Sequence, residues 1–97
     1  MAIRFEWDEA KNRVNRQKHG FTFEQAAQAF SDPDKVIEFD RVQDGEHRWH
    51  AIGLVSGVWL TLVVHTSLMS GYDEIVRIIS ARKANRREER IYGQQNG

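Results

Sequence analysis

The feature that most constrains this chain is a change of hydrophobic period around Asp32-Pro33. Before it, Phe23, Ala26, Ala27 and Phe30 recur at i, i+3, i+4 and i+7, a stripe of helical spacing that Asp32-Pro33 ends. After it the pattern alternates. Val58, Leu60, Leu62 and Val64 share one face of a strand, and Trp59, Thr61, Val63 and His65 share the other. Helices first, then strands linked by tight turns, predict an α+β fold: N-terminal helices on one face of an antiparallel sheet of about four strands. The other face stays at least partly open.

Local signals place the boundaries. Ile3 to Trp7 alternates weakly, as a short strand would, and Asp8 caps a helix that runs to Lys18 or His19 and stops at Gly20. Thr22 opens a second helix with Gln25 as its capping-box partner. Strands are expected over Val36–Asp40, Arg48–Val55, Val58–Thr66 and Glu74–Ala81, divided by turns at Gln43-Asp44-Gly45, Ser56-Gly57 and Ser70-Gly71. Lys83 to Tyr92 forms a last, basic helix, and a tail is expected to fray from about residue 93. No linker or repeat divides the 97 residues, which make a single domain.

Several classes of chemistry are disfavoured. With no cysteine, disulfide frameworks, thiolate zinc sites and cysteine nucleophiles are excluded, in keeping with a reducing compartment. No apolar run approaches the roughly 20 residues of a membrane helix, and MAIRFEW lacks the core of a signal peptide. The expected address is the cytoplasm, away from membranes. His47 and His50 point to opposite faces of a strand, so no metal site is expected. Phosphate-binding glycine motifs and a nucleophile elbow are absent.

What remains is cationic. The net charge is zero, yet residues 4–18 carry five Lys/Arg against three acids, residues 24–46 two against seven, and residues 77–90 six against two. Basic ends that meet in space would suit a polyanion. Arg77 lies on the pleat face of Ile75 and Ile79, and Arg82 has the opposite parity, so the two converge only if the strand bends near Ser80-Ala81. RNA cleavage fits such an inventory without metal or cofactor, because the 2′-hydroxyl is a built-in nucleophile and arginine forks neutralise the phosphate. Binding RNA without cutting it, or docking a basic helix onto an acidic protein, would use the same residues. Blander roles also stand: Lys18 and His19 suit the dipole of a helix's last turn, Glu88 suits an arginine of its own helix, and Tyr92 can cover apolar surface.

FEWDEAKNRVNRQKHGFTFEQAAQAFSDP (5–33) and RIISARKANRREERIY (77–92) resemble the BrnT family of type II toxin–antitoxin toxins. The shared parts are W-D-x-x-K-x-x-x-N-x-x-K-H-G with F-x-x-A, then R-x-I-S-A-R-x-A with Glu88 and Tyr92 four and eight residues after Ala84. The resemblance implies a RelE-like fold and a metal-independent, cofactor-free endoribonuclease that blocks translation. It also implies a ribbon-helix-helix, BrnA-like antitoxin, with operator DNA bound only through the complex. On this sequence the catalytic set is Lys18, His19, Arg48, Arg77, Arg82, Glu88 and Tyr92, with Lys83, Arg86, Arg87 and Arg90 as RNA contacts. One departure stands out: family members commonly carry an arginine just after the threonine of the central strand, and Thr66-Ser67-Leu68 has none.

Overall fold

The helix signals of the first third are realised through their caps. The computed structural model describes residues 2–96. It opens with β1 (Ile3–Glu6) and enters α1 (Glu9–His19) at Asp8, whose carboxylate accepts the amides of Ala10 and Lys11. Gly20, at φ 79°, takes the left-handed conformation that closes α1, its N–H donating to the Arg16 carbonyl. Thr22 and Gln25 form the reciprocal capping box of α2 (Phe23–Ala27). This helix is shorter than its stripe suggests. It tightens into a 3-10 turn at Gln28–Ser31, so Ala29 joins Phe23, Ala26 and Phe30 in the core while Ala27 stays half-buried.

Four longer strands follow as successive antiparallel hairpins: β2 (Val36–Gln43), β3 (Glu46–Val55), β4 (Trp59–Ser70) and β5 (Asp73–Lys83). Asp44-Gly45, the two-residue loop between β2 and β3, has positive φ at both positions, and so has Ser56-Gly57 in the three-residue loop between β3 and β4. The sheet has five strands, ordered β1-β5-β4-β3-β2, rather than about four. It is also mixed, because β1 pairs with β5 in parallel. A four-residue strand with one half-buried side chain, Phe5, leaves little periodic signal, yet that ring packs 5.3 Å from Phe30 and fixes the strand to the core.

Helices α1 and α2 cover one sheet face. There Val63, Val76, Ile78, Ala81, Ala51 and Val55 meet Phe23, Ala26, Ala29 and Phe30. The last helix, α3 (Arg86–Asn96), lies on the opposite face over β2 and β3; on that face Ile52 of β3 and its partner Leu62 of β4 are 0% and 1% exposed. It starts three residues later than expected, because β5 extends to Lys83. It also runs past Gly93, where fraying is expected from the sequence, and Asn96 donates to the carbonyls of Asp34 and Tyr92.

Gly53 marks the tightest contact between layers. A Cβ there would stand 2.7 Å from the carbonyl oxygen of Ala29, so the 3-10 turn sits on β3 only because position 53 has no side chain. Gly53→Ala should therefore destabilise the protein by about 1–3 kcal/mol, as overpacking does. Urea unfolding checks this: the midpoint falls while the slope is unchanged, and an unaltered midpoint would refute the close approach.

Candidate functional site

A single extra residue in β5 builds the site's face. Val64 pairs with Ser80, but the next residue of β4, His65, pairs with Ile78, which leaves Ile79 without a partner. This bulge resets the alternation. Val76 and Ile78 before it and Ala81 after it all belong to the core under α1 and α2, so Arg77, Ser80 and Arg82 stand together on the opposite face. The convergence that the sequence demands occurs one residue before the expected Ser80-Ala81.

Beyond Glu6↔Arg77 the outer edge of β5 has no strand beside it, and α1 takes over. Asn15, 5% exposed, donates to the Ala81 carbonyl at 2.9 Å and accepts the Ala81 amide at 3.0 Å, so a side-chain amide imitates the missing strand. The same amide donates to the carbonyl of Phe21. The motif asparagine is thus an architectural residue. Lys18 and His19, in the last turn of α1, line a shallow groove with Ile79 and Ser80 at this edge. They flank the bulge from the helix side and do not share the face of Arg77.

Arg82 and Glu88 form the anchor of α3. The guanidinium meets both carboxylate oxygens at 2.9 Å, and its Nη1 also donates to the Lys83 carbonyl. Asn85 and Glu88 form a capping box, each side chain accepting the other's backbone amide at 2.9 Å. Burial to 3% exposure pushes the Glu88 pKa upward. The Arg82 and Asn85 hydrogen bonds and the charges of Arg82 and His50 outweigh it and hold the carboxyl below its ordinary value. The partner of Glu88 is therefore the strand-borne Arg82, not an arginine of its own helix.

Tyr92 anchors the same helix further along. Its hydroxyl donates to Asp32 at 2.8 Å, and the phenol is pushed up to about 12 by burial and by that carboxylate. Burial would also raise Asp32, but the amides of Leu54 and Asp34 and the Tyr92 hydroxyl leave it below its ordinary value. Two hydrogen-bonded carboxylates, the buried Glu88 and the half-buried Asp32, thus hold this polar helix within the chain.

Arg77 is different, because it reaches across the sheet. Its Nη2 lies 2.6 Å from Glu46 at the start of β3, with the two side chains 41% and 45% exposed. Glu46, Arg48 and His50 alternate onto the same face of β3. The Nε of Arg48 is buried without a hydrogen-bond partner. His50 Nε2 stands 3.3 Å from Asp40, the extra residue of a second bulge, in β2. Sequence reasoning missed Glu46, Asp40 and His50. The shared parity of Arg48 and His50 was a usable signal for one of them.

The remaining cations disperse. Lys83 leans over the Trp59 ring at 5.6 Å on the helix side. Arg87 stands 3.8 Å from Glu38, while Arg86 and Arg90 are exposed on α3. Among the described residues no three His, Asp or Glu side chains cluster as metal ligands would, and no helix is long and apolar enough to cross a membrane.

A family model described as the ribonuclease toxin, BrnT, of type II toxin–antitoxin systems matches residues 7–88, from Trp7 to the anchoring Glu88. The chain belongs to this BrnT family. A solved structure, that of the Brucella abortus ribonuclease toxin BrnT, superposes with a TM-score of 0.60 at 28% identity, covering 89% of this chain and 99% of that one. No curated protein sequence matches. BrnT membership makes the chain a toxin of a type II toxin–antitoxin system, with an antitoxin as its partner.

The depressed Glu88 gives this BrnT fold an acid limit. A carboxylate whose folded pKa lies below its unfolded value contributes stability that is complete above the unfolded pKa and is lost as pH falls through the folded one. Glu88→Gln should be less stable than the parent at neutral pH, and the difference should shrink as pH drops below the ordinary carboxylate range. Thermal melts at stepped pH test this, and a pH-independent difference would show that Glu88 carries no charge-linked stability.

Proposed function

We propose that the toxin cleaves RNA by attack of the substrate's own 2′-hydroxyl, without a metal or cofactor, and so inhibits translation. The carrying observation is the β5 bulge, which sets Arg77 on the face that also bears the unpartnered Nε of Arg48. Two guanidinium groups across a phosphate supply the charge that a developing phosphorane needs. His50 shares the face of Arg48, His47 lines the same opening as Arg77, and His19 lies at the β5 edge; these imidazoles are placed to move protons. Arg82, Glu88 and Tyr92 act one step back, by holding α3 in place. Lys18, Lys83, Arg86, Arg87 and Arg90 add attraction for the strand, and the antitoxin is of the ribbon-helix-helix class.

One observation favours the competing reading, RNA capture without cleavage: Arg82 is already engaged by Glu88 on both nitrogens. The experiment separates the two. Expression without antitoxin should arrest growth with fragmented RNA, and co-expression of a ribbon-helix-helix partner encoded alongside should restore both. In vitro, cleavage should persist in EDTA and leave 2′,3′-cyclic or 3′-phosphate ends; a strict magnesium requirement with 5′-phosphate ends would overturn the mechanism.

Substitution then divides chemistry from attraction. Arg77→Ala should lower cleavage by roughly 10²-fold or more while binding falls much less, as loss of a preorganised donor does. Arg86→Ala and Arg90→Ala should each mainly weaken binding and lower the single-strand salt slope by about 0.7. If all three fold and lose cleavage only in proportion to binding, Arg77 has no special chemical role and its catalytic assignment fails.

A further inference from the structure

The sheet is split at one end. The β3–β4 ladder stops at Trp49↔His65, whereas the β2–β3 hairpin continues to the turn before Glu46 and the β4–β5 hairpin continues to Ser70↔Asp73. The two hairpins therefore part, and a cleft of about 590 Å³ opens between them, lined by Glu46, His47, Thr66, Leu68, Ile75 and Arg77 among others. That volume lies within the roughly 300–1,000 Å³ of small-ligand sites.

The walls carry unfilled backbone bonding. Along Glu46–Arg48 and Thr66–Ser70, the backbone edges that face each other have no ladder partner. Such groups need acceptors and donors from elsewhere. Beside them is the buried, unpartnered Nε of Arg48. Apolar surface lies alongside: Leu68 is 66% exposed and Ile75 half-buried. A ligand that fits must combine a flat, partly apolar body, hydrogen-bonding edges and an anionic end. An unstacked nucleotide of single-stranded RNA has all three.

The anionic end has a stand-in already. Glu46 meets Arg77 through one oxygen and one nitrogen, at 2.6 Å, across the cleft. A phosphodiester can present two oxygens to the same fork, and bidentate pairing is the stronger arrangement. We infer that this cleft is a subsite for one unstacked nucleotide of single-stranded RNA, its phosphate held by Arg77, and that Glu46 is the carboxylate the RNA displaces to enter. The inference rests on the ribonuclease reading and adds a selectivity rule to it. An anion that brings no base gains nothing from the walls, and Glu46 keeps it out.

The test uses the full chain and two single-stranded oligonucleotides of one sequence, one cleavable and one 2′-O-methylated so that binding is read without turnover. Glu46→Gln keeps the shape and removes the competing charge. It should tighten binding of the methylated strand by about two- to fivefold, the size of an exposed ion pair, and lower KM while raising kcat/KM by the same factor. In an Arg77→Ala background the gain should vanish. Leu68→Trp fills the cleft at an exposed position, away from Arg77. It should weaken oligonucleotide binding at least several-fold, and in a Glu46→Gln background, where the Arg77 fork is free, leave binding of inorganic phosphate unchanged.

Thermal melting confirms the fold of each variant. Unchanged or weaker binding by Glu46→Gln overturns the displacement, as does a gain that persists without Arg77. Parent-like oligonucleotide binding by Leu68→Trp overturns the subsite. If Arg77→Ala abolishes cleavage while both other variants behave as the parent, this inference alone fails; if the parent does not cleave RNA at all, the ribonuclease reading fails first.

Discussion

The pairing of Arg82 with Glu88 is the constraint on which the second face depends. Helix α3 offers little apolar surface, so burial alone would not hold it against the sheet. A bidentate ion pair that also closes the helix's capping box does so instead, joining the end of β5 to the first turn of α3. Breaking such a pair would strand a charge that is 3% exposed, which is far costlier than losing a surface contact. With α3 fixed over Ile52 and Leu62, one half of the face is covered and the half bearing Arg77, Glu46 and Arg48 is left open.

Much of the fold was legible because its signals are local. Asp8, Gly20, Thr22 and Gln25 do what their residue types require at helix ends, and Asp44-Gly45 and Ser56-Gly57 turn the chain as such pairs do. The parallel pairing of β1 was not legible, since its partner lies some seventy positions away and its own pattern is four residues long. Of the site, the unusual placement of Arg77 could be read, and so could the need for a bend before Arg82. The bend's form could not: a bulge is a mismatch between two strands, and no single strand's pattern contains it. The Glu46 contact was hidden for the same reason.

The motif that carries the family resemblance mixes two kinds of residue. Asn15 occupies the backbone of Ala81, Asp8 caps α1, and Tyr92 is tied to Asp32, so these positions serve architecture. Lys11, Lys18, His19 and Arg77 are motif members left with exposed or weakly held heads. Shared spacing alone treats both kinds alike. Hydrogen-bond partners separate them: the polar ends of Glu88 and Tyr92 are already taken up within the chain, by Arg82 and Asp32.

The parallel pairing of β1 with β5 also sets an order on the protein's making. Among the described residues β1 has one ladder partner, β5, some seventy positions away, and the amide of Glu74 donates to the carbonyl of Ala2. Contacts of such long sequence separation close late. Arg77 and Arg82 stand on the strand that this pairing completes, and the helix that fixes the second face follows it directly, so the face belongs to the late-closing part of the fold. A partly folded chain therefore holds these cations apart, and the open half of the second face takes shape together with the longest-range contact of the sheet.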